Sequence, residues 1–282
     1  MKSGNILLIG PTNSGKSTLL NQVVGKRVSL VSRKKQSTTF NLKSVINISE
    51  AELILQDTPG IFFSAKKISN KMSNSAITEI DSAVVIYLVI DASKKFETSF
   101  KKIINTLKEK IEYQKIFLIL NKIDKIKKSK TLIKIEEYKN YTEIDAIFPI
   151  SAKEGTGINN LLTSSIQYLP KKKNKYSKTK EPLINKDLFY SEITREKIYD
   201  KIHKEIPYQC RVITEKIEKS KDQIRIHQVI KVSKKSHKNI IIGKKGSTLK
   251  EIGTLSRREI SNFENKKIHL FLFVKVDTAK KL

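Results

Sequence analysis

Eight residues near the start of the chain constrain its fold more than any other feature. Gly10-Pro11-Thr12-Asn13-Ser14-Gly15-Lys16-Ser17 has the spacing GxxxxGKS, directly after the apolar run Ile6–Ile9 and directly before a helix-compatible stretch from Thr18 to Val24. A glycine-rich turn between a buried strand and a helix wraps backbone N–H groups around phosphates and points the positive end of the helix at them. Such a strand must lie inside a sheet covered by helices. Four further runs agree: Leu53–Leu55, Val84–Ile90, Ile116–Leu120 and Ala146–Ile150 are apolar throughout rather than alternating. That pattern suits strands buried on both faces of a parallel sheet. The expected class is α/β, a mostly parallel sheet with crossover helices.

The motif assigns candidate roles. Gly10, Asn13, Ser14, Gly15, Lys16, Ser17 and Thr18 form the expected phosphate cradle, Lys16 reaching the outer phosphates and the Ser17 hydroxyl ligating Mg²⁺. Asp57-Thr58-Pro59-Gly60 follows the run Leu53–Leu55, which puts a carboxylate at the C-terminal end of a strand, where sites of open α/β sheets lie. Asp57 is expected to hold the metal through water and the Gly60 amide to face the γ-phosphate. Asn121-Lys122-Ile123-Asp124 follows Ile116–Leu120 in the same way. The Asp124 carboxylate can accept from the two edge N–H groups of guanine, a pair that adenine lacks. Ser151-Ala152-Lys153 follows Ile150, and a backbone amide there can donate to guanine O6. Together these motifs predict a GTP/GDP pocket.

Charge separates a second part. Lys plus Arg number 56 against 28 Asp plus Glu, a formal charge of +28, which attracts a polyanion, either nucleic acid or an anionic membrane surface. Residues 1–170 carry 26 basic and 15 acidic residues, and residues 171–282 carry 30 and 13, so the shorter part is the more basic. Lys171–Lys180 holds six lysines and is followed by Glu181-Pro182; it reads as a solvated spacer or as a direct phosphate contact. The expected division is 1–170, a Lys-rich linker at 171–187, and 188–282. In the last part Leu188–Glu205 and Ser247–Phe263 have helical spacing, while Cys210–Ile217, Gln223–Val232 and Ile268–Val276 read as strands. This predicts a smaller α+β module.

Within that module Ile242-Gly243-Lys244-Lys245-Gly246 immediately precedes a helix. Two glycines around two lysines let a nucleic-acid backbone approach the peptide while positive charge faces its phosphates. GxxG is the clamp of KH domains, which hold about four single-stranded nucleotides, and the order of elements is that of a type II KH domain. RNA affinity is expected to fall steeply with salt.

The four nucleotide elements in this order resemble the translation-factor-like class of P-loop GTPases. Ser32–Thr38, with Ile240–Gly253, Thr194–Ile198 and Glu205–Tyr208, resembles the Era family over almost the whole chain. The resemblance implies Mg-dependent hydrolysis of GTP to GDP and phosphate. It also implies a cytoplasmic, monomeric assembly factor that binds small-subunit ribosomal RNA near its 3′ end on the small ribosomal subunit. It gives Thr38 the role of closing over Mg²⁺ and the γ-phosphate, alongside Lys16 and Gly60 as catalytic residues. Thr39 stands where the family has arginine and is the alternative. Asn13 matches related GTPases that use K⁺, or it caps the phosphate loop.

Ile61 occupies the place of the water-orienting glutamine of Ras-like enzymes, so intrinsic hydrolysis is expected to be slow. Two other readings remain open at this point: an RNA chaperone for which GTP is only a ligand, and a GTPase in weak peripheral contact with anionic membrane. Cys210, the single cysteine, excludes an intrachain disulfide, fits a reducing compartment and reads as a half-buried strand residue. The motif at Gly10 leaves no room for a secretory leader, and the longest apolar run, Ala83–Ile90, is too short to span a bilayer. His203, His227, His237 and His269 lack metal-ligand spacing. Leu249 and Ile252 read as core, and Arg257 and Arg258 as solvated or phosphate-contacting.

Overall fold

A computed structural model describes residues 1–25, 42–57, 74–94, 98–172, 186–202 and 210–277. The chain divides into two compact units, Met1–Leu183 and Ile184–Leu282.

The first unit is built on strands β1 (Lys2–Ile9), β2 (Leu42–Ile48), β3 (Ala51–Asp57), β4 (Ala83–Asp91), β5 (Lys115–Asn121) and β6 (Ala146–Ile150). Their order in the sheet is β2-β3-β1-β4-β5-β6, and all pairings are parallel except β2 with β3. The helices among the described residues are α1 (Lys16–Val24), α2 (Asn74–Ser82), α3 (Thr98–Lys108), α4 (Lys128–Lys139) and α5 (Ile158–Ile166). The five all-apolar runs become the five parallel strands, and the sequence pattern missed only β2. It is an edge strand of the sheet, and Lys43, Ser44 and Asn47 break up its apolar residues. It joins β3 through Ser49 and Glu50, both at positive φ (45° and 59°), the twist that a two-residue hairpin requires.

Leu7, Ile9, Ile86, Leu88, Leu118 and Leu120 form the core on one side of the sheet, closed by Phe100 and Tyr138. Those rings meet edge to face, their centroids 4.8 Å apart. Every residue of β3 is buried, including Glu52, whose carboxylate accepts from the Ser3 hydroxyl at 2.7 Å. At the end of the unit the Ser3 amide donates to Pro170 O and Lys171 bridges to Lys2, so the chain is tied to β1 there.

The second unit runs α6 (Lys186–Lys201), β7 (Cys210–Lys219), β8 (Gln223–Val232), α7 (Lys235–Ile242), α8 (Ser247–Glu264) and β9 (Lys267–Val276). Its sheet has the order β7-β8-β9, antiparallel between β7 and β8 and parallel between β8 and β9. Ile198, Ile230, Val232, Ile241 and Ile252 pack as its core, with Leu249 partly buried against them. Ion pairs join α6 to α8: Lys186–Glu264 at 2.8 Å, Lys197–Glu259 at 2.6 Å, and Lys201–Glu251.

Cys210 is 7% exposed, more deeply buried than its sequence context suggests, because β7 turns it toward Ile198 and Val232 in the core. Burial pushes its thiol up to about 11, so almost no thiolate forms near neutral pH. A thiol reagent at pH 8 should therefore label the native chain far more slowly than the denatured one; equal rates would contradict this placement.

Candidate functional site

The C-terminal ends of β1, β3, β5 and β6 carry the residues expected to meet nucleotide. After β1 the chain enters a loop where Gly10 has φ 144°. A Cβ at Gly10 would lie 2.1 Å from Val89 O, so no other residue fits between this loop and β4. Asn13 also has positive φ, 64°, and is exposed. Gly15 heads α1 without any side-chain cap, which leaves the first N–H groups of the helix aimed outward.

Lys16 is buried, and its ammonium donates to Gly10 O at 2.9 Å and Pro11 O at 3.0 Å. Burial lowers its pKa and the Asp57 carboxylate opposes that shift. The Ser17 hydroxyl donates to Asp57 Oδ2 at 2.8 Å, so these two oxygens, expected as metal ligands from positions forty residues apart, adjoin in space. Thr18 is half-buried on α1. Among the described residues the buried Ser14 hydroxyl has no hydrogen-bond partner. A buried orphan hydroxyl, a glycine cradle, a folded-back lysine and a Ser–Asp oxygen pair are together a donor set suited to polyphosphate and a hard cation. Thr38, Thr39, Thr58, Pro59, Gly60 and Ile61 lie outside the described residues.

Asn121 joins three of the motifs. Its Nδ2 donates to Ser14 O at 2.8 Å, and its Oδ1 accepts from the Lys122 amide at 2.8 Å and the Ala152 amide at 2.9 Å. Lys122, at φ 68°, donates from Nζ to Asn13 O and pairs with Asp91 Oδ2 at 2.7 Å. Asp124 is exposed, with one oxygen held by the Ser151 hydroxyl at 2.7 Å. This fixes the carboxylate while leaving it open to a base. Ser151 and Ala152 are buried and Lys153 is exposed.

Asp91 is the residue that sequence reasoning missed. It ends the apolar strand β4 as Asp57 ends β3, and that position was the available signal. Burial raises its carboxyl, but hydrogen bonds from Lys122 and from the Ser93 hydroxyl and amide prevail and hold it below the ordinary carboxylate range.

In the second unit Gly243 has φ 74°, and a Cβ there would lie 2.2 Å from Thr248 Oγ1. Glycine is required because the turn folds back onto the first residues of α8. Lys244 and Lys245 are exposed, and Ile242 and Gly246 are half-buried. Gly246 precedes α8 with no side-chain cap. The loop therefore presents two ammonium groups beside an open helix N-terminus.

Comparison with known proteins agrees with this geometry. Residues 5–122 match the family described as 50S ribosome-binding GTPase, and residues 205–280 match the KH domain. GTPase Era of Agrobacterium fabrum is 38% identical over 276 residues, covering 98% of this chain and 86% of the relative. The chain belongs to the Era family of GTPases. Era of Rickettsia conorii is 39% identical over 280 residues, covering 98% of this chain and 80% of that one. Among solved structures, Era in complex with MgGDPNP and nucleotides 1506–1542 of 16S ribosomal RNA superposes with a TM-score of 0.88 at 32% identity, over 99% of this chain and 95% of that one. A variant of Aquifex aeolicus Era bound to GDP and AlF4⁻ gives 0.86 at 31% identity, with the same coverage. As in the Era family, a P-loop GTPase domain with a mostly parallel sheet precedes a KH domain, and the pocket is one for guanine nucleotide and Mg²⁺.

If Asp91 positions Lys122, Asp91→Asn should weaken GDP binding about fivefold (~1 kcal/mol). Because its folded-state pKa is depressed, the interaction is present above the ordinary Asp value near 3.9 and is lost only as pH falls through the lower folded value. The Asp91-dependent part of GDP affinity, measured by calorimetry, should thus stay flat from pH 8 to pH 5; a midpoint inside that range would contradict the assignment.

Proposed function

We propose that this chain is a GTP-hydrolysing ribosome-assembly factor that holds small-subunit ribosomal RNA near its 3′ end in the Gly243–Gly246 clamp. The observation that carries the RNA half is the loop itself: Gly243 packs against Thr248 too closely for any Cβ, with Lys244 and Lys245 exposed between two glycines. The Era complex with 16S ribosomal RNA supports this choice of RNA. The family description of the first unit names the 50S subunit, but that match covers residues 5–122 alone, whereas the match to the RNA complex covers 99% of this chain.

The catalytic contribution is electrostatic. Lys16 leaves the carbonyls of Gly10 and Pro11 to meet the outer phosphates, exchanging two neutral acceptors for an anion in a buried site. Ser17 and Asp57 would hold Mg²⁺, which neutralises charge on the β- and γ-phosphate oxygens. The amides after Gly10 and at the head of α1 orient the phosphates. Asp124, braced by Ser151, reads the guanine edge, and the Ala152–Lys153 segment closes over the base. Thr38 and Gly60 complete the γ-phosphate contacts, and Asn13 is a ligand for K⁺.

Ile61 cannot align water by hydrogen bonding, so turnover is slow until a partner or the RNA contributes. The protein acts as a cytoplasmic monomer. No helix of the described residues is long and apolar enough to cross a membrane; its positive charge gives it a weak attraction to anionic lipid surfaces.

Lys16→Ala should abolish GTP turnover, with and without 16S ribosomal RNA, and leave RNA binding in place. Gly243→Asp should do the reverse, removing RNA binding while single-turnover hydrolysis persists. Loss of both activities in either variant, or no turnover by the wild-type chain under any condition, would contradict the proposal.

A further inference from the structure

Alternation along β7, β8 and β9 gives the second sheet two faces. One carries Ile224, Ile226, Ile230 and Val232, buried on the side where α7 and α8 pack. The other carries aromatic rings in the open. Phe271 and Phe273 are 43% and 56% exposed, and both lie on β9, which is an edge strand. Positions two apart on a strand are separated by about 7 Å, roughly the rise of two stacked bases. His227 lies opposite Phe271 in the strand register and stacks on it, centroids 4.7 Å apart and planes at 15°.

Neighbouring on one face, the two rings make a contiguous apolar patch, the kind of surface that marks an interaction site where single exposed rings do not. Their surroundings are cationic. Lys267 and Lys275 flank them on β9, both exposed, and Arg225 is exposed on β8 beside His269. Aromatic faces amid Lys and Arg are the chemistry that holds single-stranded nucleic acid: the rings and the guanidinium stack on bases, and the ammonium groups meet phosphates.

We propose that this outward sheet face is a second RNA-contact surface, on which Phe271 and Phe273 stack unpaired bases beyond the four nucleotides held by the Gly243–Gly246 clamp. The proposal rests on the RNA-binding reading above. The clamp joins α7 to α8 on the opposite side of the sheet, and β9 packs against both helices. An RNA strand leaving the clamp therefore reaches the aromatic face around the free edge of β9 without crossing the sheet. The chain consequently grips a longer single strand than its clamp alone can hold.

The test uses the full chain and two fluorescein-labelled RNAs from the 3′ end of 16S ribosomal RNA, one of four nucleotides and one of about twelve. The double variant F271A/F273A should lose at least about 30-fold in affinity for the longer RNA and keep its affinity for the tetranucleotide, which also reports that the clamp is folded. F271W/F273W should restore binding, and 2-aminopurine placed outside the clamped bases should be quenched by the wild-type chain and not by F271A/F273A. Unchanged affinity of F271A/F273A for the longer RNA, while Gly243→Asp abolishes it, would overturn the second surface and leave the clamp standing. If F271A/F273A instead lost only binding to phosphatidylglycerol vesicles, the face would belong to a membrane and the proposal would fall. Failure of the wild-type chain to bind either RNA would overturn both readings.

Discussion

The nucleotide pocket hangs on the side-chain amide of Asn121. It is 1% exposed and uses both ends on backbone groups: Nδ2 holds Ser14 O in the phosphate loop, and Oδ1 holds the amides of Lys122 and Ala152. A single planar group thereby ties the phosphate loop to the Lys122 and Ala152 segments. Lys122 adds a second tie, from Asn13 O to Asp91. The bonds of Asn121 to Ser14 O and to the Ala152 amide are buried, so the geometry is set before any ligand arrives, and loss of one leaves a polar group stranded at a cost of about 1–3 kcal/mol.

Preorganisation of this kind suits a site whose chemistry is mainly placement of charge. Lys16 illustrates it. Its ammonium is held in a buried position on two carbonyls, a weaker partnership than a phosphate would offer, so exchange favours the polyanion. The Gly243–Gly246 loop, the clamp in our proposal, follows another rule. It offers exposed lysines and an uncapped helix N-terminus, and its attraction is long-ranged and screened by salt.

Much of both units was legible because burial on two faces writes itself into sequence. Val84–Ile90 and Ile116–Leu120 could hardly be anything but central strands, and the motifs follow from their C-terminal ends. Leu42–Ile48 was missed because an edge strand is half solvated and its mixed polar and apolar residues resemble a loop. The phosphate, guanine and GxxG motifs were readable as spacings. The bracing role of Asn121 was not, since a hydrogen bond between residues 107 apart leaves no local signature; Asp91, at the end of an apolar strand, did leave one. Cys210 is more buried than its neighbours suggest, because the face of β7 that it shares with Val212 is covered by α6, and alternation does not say which face is covered. The exposed pair Phe271 and Phe273 was equally hidden: alternation marks two faces but does not say which one the helices cover.

The most direct measurement is calorimetry of GDP and ADP binding to Asn121→Ala beside the wild-type chain. With the brace removed, GDP affinity should fall about 100-fold, the worth of two buried hydrogen bonds, and the preference for GDP over ADP should shrink with it, because phosphate loop and base-reading segment lose their common anchor. A GDP affinity and a GDP-to-ADP ratio both unchanged would contradict the account.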